Sequence, residues 1–375
     1  MENPNPTPEH YVIGLTGNIG SGKSLVRKML EHLGALGVDA DWLTREASRK
    51  NGPGHDAILE RFGKAILDEN GEINRRQLGR QVFSSRQALE DLENILHPLA
   101  SAATRRIIAQ SPLPVVVIEA IKVLESDLAE QCQQIWVVAA DEDSVYERLQ
   151  RTRGMTRTDI RARLAQQTPT AQMKQKAQVV IENSGSIAAA WEQVQSAWQK
   201  LPPQNWDAAQ FTSAQRQANL LSADEAGLAQ AGTFLQANPD SLPARFLESV
   251  RSDKHKTDSA QDLLLRDMLR FYFSAAREDE LAVWCREGFA GQLCGYHFPQ
   301  ENNSAKLEAL IKGIEGLNAF YLCGQMSLPA HPQDAPMLAR LGYDIRNEPG
   351  DLPEMNRKAG YNQYNKTHPG LLRLF

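Results

Sequence analysis

Eight consecutive residues, Gly17-Asn18-Ile19-Gly20-Ser21-Gly22-Lys23-Ser24, fit the pattern G-x-x-x-x-G-K-[ST] at every required position. Residues of these types at this spacing serve phosphate chemistry. Glycines let a loop wrap closely around a polyphosphate, so that successive backbone N–H groups point at its oxygens. A helix opening directly behind adds free N–H groups and the positive end of its dipole. Lys23 then reaches the β- and γ-phosphates, and the Ser24 hydroxyl takes a place on Mg²⁺. The stretch predicts binding of a nucleoside triphosphate, with ATP and Mg²⁺ as the expected cofactors.

The flanking elements suit that role. Tyr11–Thr16 is a short apolar run rich in β-formers, and Leu25, Met29 and Leu33 share one face of a following helix that Gly34 and Gly37 bring to an end. Val38-Asp39-Ala40-Asp41 reads as a second strand whose end carries acidic groups. Ligands of a parallel sheet bind at the carboxyl ends of its strands. Asp41 is therefore either the base that takes the proton of an attacking hydroxyl or, with Asp39, a cap for the next helix. Residues 55–110 read as mostly helical, with a turn at Asp68–Gly71. Val115–Ile118, Ile135–Val138 and Val179–Ile181 are continuous apolar runs, the pattern of a parallel sheet buried on both faces. Strands alternating with helices give an α/β class.

Composition removes several function classes. The chain has 375 residues, 42% hydrophobic and 23% charged, with net charge −5. Residues 1–200 carry 24 Lys and Arg against 25 Asp and Glu, so no basic half marks a nucleic-acid binder. No apolar run approaches the roughly 20 residues of a membrane span. The first residues lack the charged and apolar regions of a signal peptide. Cys132, Cys285, Cys294 and Cys323 form no CxxC pair, and His297, His331 and His368 have no metal spacing. A cytoplasmic protein is expected.

Residues 11–200 resemble the dephospho-CoA kinase family. The likeness begins with Leu15–Ser24 and Val38–Asp41. It continues in order through Arg75-Arg76-Gln77-Leu78 with Val82-Phe83, then Leu92-Glu93-Asn94-Ile95-Leu96-His97-Pro98, then Arg148, Gln167 and Ile181–Gly185. The resemblance implies a P-loop NTPase fold of the nucleoside monophosphate kinase kind, with a helical acceptor region near 55–110 and a lid near 148–170. It implies transfer of phosphate from ATP to the ribose 3′-hydroxyl of dephospho-CoA, the last step of coenzyme A synthesis. On that likeness Asp41 is the base, Lys23 and Arg148 assist the transfer, and Gly17 through Ser24 with Leu25 bind the nucleotide. Arg75, His97, Lys122 and Gln167 join Asp41 as acceptor-site residues. His97 has an alternative structural role before Pro98. Arg151, Arg153 and Arg157 accompany Arg148 either as lid cations or as a solvated helix face.

Three departures stand out. The family usually has Pro-Leu-Leu-x-Glu where this chain reads Ile121-Lys122-Val123-Leu124-Glu125, Ala-Asp where it reads Ala177-Gln178, and often threonine where it has Leu25. Lys122 either meets a phosphate of the acceptor or marks a different acceptor. Glu119 either holds a Mg²⁺-bound water or pairs with Lys122.

The text changes near Leu201-Pro202-Pro203-Gln204-Asn205, which sets expected domains of 1–200 and 201–375. The second is expected to be α+β. Its helix through Leu228 and Phe234, the hairpin of 282–285 and 292–298, and Met337–Tyr343 resemble a GNAT-type acetyltransferase. The loop that would cradle a pyrophosphate has no place between Tyr296 and Ala305. A degenerate GNAT-like or interaction domain is expected, supplying no catalytic group to the kinase. The alternatives to a dephospho-CoA kinase are a P-loop kinase of another hydroxylated metabolite, or an ATP-binding switch with a partner-binding domain.

Overall fold

The computed structural model describes residues 10–202, 208–251, 259–287, 290–298, 303–321, 323, 325–330, 332–341, 343–345 and 362–367. The stretch 203–205 at the expected boundary, His331 and His368 lie outside the described residues.

Five strands, β1 (Tyr11–Thr16), β2 (Ala35–Asp39), β3 (Val115–Glu119), β4 (Gln134–Ala139) and β5 (Val179–Glu182), form a parallel sheet in the order β2-β3-β1-β4-β5. Their apolar runs face inward on both sides because side chains alternate along a strand. Ile13, Leu15, Val115, Val117 and Trp136 join one apolar cluster, whereas Val12, Ile118, Ile135 and Val137 join another. Ile13 is fully buried, so Ile13→Ala is a cavity-forming change costing about 2–5 kcal/mol.

The second strand differs from its expected bounds. It ends at Asp39, and a helix starts at once, α1 (Lys23–His32) having been followed by β2 and then α2 (Ala40–Ala47). Asp39 is the cap: its Oδ1 accepts from the Trp42 N–H at 2.8 Å. Residues 55–110 are mostly helical as expected, in α3 (His55–Phe62), α4 (Arg75–Ser84) and α5 (Arg86–Gln110), with the turn near 68–71 between α3 and α4. These pack on one another through Ile58, Phe62, Leu78, Val82 and Leu96, a small core separate from the sheet. The remaining helices of this half are α6 (Glu142–Arg153), α7 (Arg157–Ala165), α8 (Thr170–Lys176) and α9 (Ile187–Gln199).

Beyond residue 201 come α10 (Ala208–Gln217), α11 (Glu225–Ala237), α12 (Leu242–Val250) and α13 (Ala260–Arg270). A second sheet follows, from β6 (Tyr272–Ser274), β7 (Leu281–Glu287), β8 (Ala290–His297), β9 (Gln325–Ala330), β10 (Asp344–Ile345) and β11 (Asn362–Thr367), in the order β10-β11-β9-β8-β7-β6. Its helices α14 (Asn303–Phe320) and α15 (Ala335–Arg340) complete the half. The expected hairpin is β7–β8, with a register shift between Val283 and Trp284; Gly288 and Phe289 of its turn lie outside the described residues.

The strands form two ladders, but the apolar packing is shared. Leu15, Met29, Leu30, Trp191 and Val194 of the first half cluster with Phe234, Leu247, Leu265, Met268 and Phe273 of the second. A charged group sits at the seam. Glu31, at the far end of α1 from the P-loop, is fully buried and pairs with Arg27 (2.5 Å), Lys28 (3.0 Å) and Arg286 of β7. Arg286 also donates to the Gly37 carbonyl at 3.1 Å, and the Tyr321 hydroxyl donates to the Glu31 carbonyl at 2.9 Å. Gly37 makes room for this group, since a Cβ there would come within 2.1 Å of the Glu31 Oε1.

Candidate active site

The carboxyl ends of the parallel strands open into a cleft of about 1830 Å³. The P-loop lies at its centre, following β1. Gly20 and Gly22 have φ of 78° and 96°, left-handed values that favour glycine. A Cβ on Gly22 would also lie 2.1 Å from the Asn183 Nδ2. Gly22 is the N-cap of α1 and gives it no side-chain cap, which leaves first-turn N–H groups for an anion.

Lys23 is buried, and its ammonium donates to the Gly17 and Asn18 carbonyls at 2.7 and 3.1 Å. Burial lowers its pKa, and Glu119 and Asp41 oppose that shift. The Ser24 hydroxyl donates to Glu119 Oε1 at 2.7 Å, and Arg27 Nε donates to Glu119 Oε2 at 2.7 Å. Glu119 therefore meets Ser24 and Arg27, and Lys122 pairs elsewhere, with Glu93 of α5 at 2.8 Å. A hydroxyl beside one carboxylate is a hard-oxygen set that fits Mg²⁺, which keeps several waters and takes its other ligands from phosphates.

Asp41 stands in the first turn of α2, exposed to the cleft, and among the described residues its carboxylate has no hydrogen bond. Burial by the cleft walls raises its pKa, reinforced by Asp39 and Glu119 and opposed by Lys23 and Arg45. The capping alternative thus falls to Asp39 and leaves the Asp41 carboxylate open.

The other expected residues divide. His97 is exposed on α5 and lines the cleft, as do Lys122 and Gln167. The Gln167 side chain accepts from the Ile19 N–H at 2.9 Å, so it touches the P-loop as the lid segment crosses it. Ile19 and Leu25 also line the cleft. Arg75 does not: it faces a smaller pocket of about 280 Å³ with Arg45 and Arg49, and donates to the Arg45 carbonyl at 3.3 Å. Arg148, on α6, lies against the P-loop, donating to the Gly20 and Ser21 carbonyls at 3.4 and 3.3 Å and to the Asn183 carbonyl. Arg151 and Arg153 line the cleft, whereas Arg157 lies over the Tyr146 ring, 4.7 Å from its centroid.

Among the groups not singled out in the sequence are Arg27, which donates to Glu119 from α1, and Arg163 and Arg266, which line the cleft. Arg27 stands one turn beyond Lys23 and four residues before Glu31, so helical spacing alone pairs it with that acid. Arg266 lies in the half expected to supply no catalytic group, on a helix without a motif.

A family model of dephospho-CoA kinase matches residues 11–189. The dephospho-CoA kinase of Geobacter sulfurreducens is 36% identical over 195 residues, covering 51% of this chain and 99% of that one. That of Carboxydothermus hydrogenoformans is 35% identical over 198 residues, covering 52% of this chain and 96% of the relative. Among solved structures, a dephospho-CoA kinase from Campylobacter jejuni is similar over 51% of this chain and 97% of its own, at 22% identity and a TM-score of 0.37. With nearly the whole length of such relatives matched at this identity, and a P-loop standing over a parallel sheet, the chain belongs to the dephospho-CoA kinase family.

Proposed function

We propose that this chain transfers the γ-phosphoryl group of ATP to the ribose 3′-hydroxyl of dephospho-CoA, giving ADP and CoA, and that it works in the cytoplasm. The observation that carries the reading is the open Asp41 carboxylate beside Lys23 and Glu119 at the mouth of the P-loop. The 3′-oxygen attacks the γ-phosphorus, Asp41 takes its proton, and the bond from the γ-phosphorus to the β,γ-bridging oxygen breaks. The P-loop amides and Lys23 hold the β- and γ-phosphates, and Arg153 and Arg163 offset their charge from the cleft wall. Ser24, and Glu119 through water, would hold Mg²⁺. When bound, that ion would supply positive charge to offset the negative charge that develops on the transferring phosphoryl group.

An acceptor entering between α5 and the sheet would meet His97 and Lys122 on the cleft wall, with Gln167 reaching it from beside the P-loop. Lys122 is the departure that bears on acceptor choice. Its pairing with Glu93 balances the added charge, which supports an acceptor pocket of the family's kind. Arg75 reaches an acceptor only if part of it extends past Arg45, the residue common to both pockets. The deciding assay couples ADP release to ATP plus dephospho-CoA, run beside other nucleosides and hydroxylated metabolites. Turnover confined to another acceptor, or none with any, would refute the assignment.

Lys23→Ala is expected to lower turnover at least about 10²–10³-fold, the scale for losing one group that stabilises transition-state charge. The ammonium rests on loop carbonyls and belongs to no apolar cluster, so the fold is expected to persist. Steady-state kinetics beside circular dichroism check this.

A further inference from the structure

We infer that Arg266, from the half of the chain beyond the family match, holds the nucleoside end of ATP in the kinase cleft. The inference rests on ATP being the phosphoryl donor. In the sheet order β2-β3-β1-β4-β5, Asp41 follows the strand at one edge and Asn183–Gly185 follow the strand at the other. The P-loop lies between them, after the central strand. A γ-phosphate brought toward Asp41 and Glu119 sends the rest of the nucleotide the opposite way, toward Arg148 and the turn after β5. Arg266 lines the cleft at that end, close enough to Arg148 for its charge to act on that guanidinium.

The packing of α13 explains how it gets there. Its apolar side, Leu265, Met268 and Leu269, is buried in the shared cluster with Val26 and Met29 of α1 and with Ala190 and Val194 of α9. Arg266 sits at the border of that face, half-buried, beside the two helices whose N-terminal ends frame the cleft. Leu25 and Ile187 line the same end and pack against or within the same cluster. The wall thus combines apolar side chains with two planar cations. That chemistry suits a purine and its ribose, because guanidinium groups stack on aromatic faces. The leucine that stands where the family often has threonine packs against the cluster that the two halves share.

The test uses the full chain. Arg266→Gln is expected to raise KM for ATP about tenfold to a hundredfold, the scale for losing a charge-assisted contact. KM for dephospho-CoA and kcat should stay within about twofold if the contact is equally strong in the ground and transition states. ADP affinity by calorimetry should weaken in parallel, and affinity for inorganic tripolyphosphate should not. Arg266→Lys, which keeps the charge but not the plane, serves as the folding control and should recover only part of the loss. An unchanged KM for ATP in Arg266→Gln, or full recovery with lysine, overturns the inference. Wild-type protein that neither binds ADP nor turns over ATP refutes the kinase reading itself, a distinguishable result.

Discussion

Asp41→Asn is expected to lower turnover with dephospho-CoA by about 10²–10⁴-fold, the range for losing a general base. ATP affinity should hold, because the P-loop and the open N-terminus of α1 are untouched. Helix α2 should also hold, because its cap bond comes from Asp39. The pH profile carries the same signature. Asp41 must be ionised to accept a proton, and burial with two neighbouring acids raises its pKa. The acid limb of kcat/KM should therefore fall above the ordinary aspartate value of about 3.9, with activity rising as pH rises through it. The Asp41→Asn variant, with no carboxyl to titrate there, lacks this limb. Stability moves the other way. A carboxyl whose folded pKa is raised binds more protons folded than unfolded, so stability falls as pH climbs through the window between the two values. Removing the charge is expected to leave the melting temperature at neutral pH unchanged or slightly higher. Normal turnover in a well-folded, ATP-binding variant would remove Asp41 as the base and turn the search to Glu119, since Asp39 is committed to its cap.

Phosphate binding was legible in the sequence because it depends on local features. Gly17 through Ser24 fix a loop, and Tyr11–Thr16 before it fixes a buried strand, without help from distant residues. Asp39 and Asp41 were ambiguous for the same reason. Both lie close to a strand end, and only the place where β2 stops decides which carboxylate caps α2. Lys122 and Glu119, three residues apart, looked like a pair. The tertiary fold separates them, bringing Glu93 from α5 to one and Arg27 from α1 to the other. Arg266 and Arg286 were illegible because nothing in their local pattern distinguishes them. Their roles come from the docking of one half on the other, which places Arg286 within the wall behind α1. The division into two regions also missed how wide the apolar face of α1 is, because Leu25, Met29 and Leu33 are only part of the stripe that packs on the shared cluster. Val26, Leu30, Trp191 and Val194 belong to the cluster that receives α11–α13.

The same docking makes Glu31→Gln the most destabilising single polar change expected here. Burial alone would raise the pKa of Glu31, but Arg286, Lys28 and Arg27 hold it well below the usual carboxylate range. Glutamine keeps the shape and leaves three cations without the carboxylate they share. Lys28, already pulled down to about 8 by burial against the pull of Glu31, can shed its proton and relieve part of the repulsion. The guanidinium groups of Arg27 and Arg286 cannot. Breaking a buried ionic group in this way costs about 3–5 kcal/mol. Adding Arg286→Met removes one stranded charge from the seam, so the double variant should be more stable than Glu31→Gln alone. The pH dependence follows from the sign of the shift. A depressed folded pKa stabilises the wild type above the ordinary glutamate value of about 4.3, and that contribution is lost as pH falls through the folded value. Glu31→Gln should lack this acid-dependent loss while being weaker at neutral pH. Turnover is expected to fall as well, because Arg27 bridges Glu31 to Glu119 and is released from one of its two anchors. Melting and urea unfolding of the single variants and the double, at neutral and acid pH, check the set. A Glu31→Gln protein that melts with the wild type, or a double variant less stable than the single, would mean that packing, and not this ionic group, fastens the second half to α1.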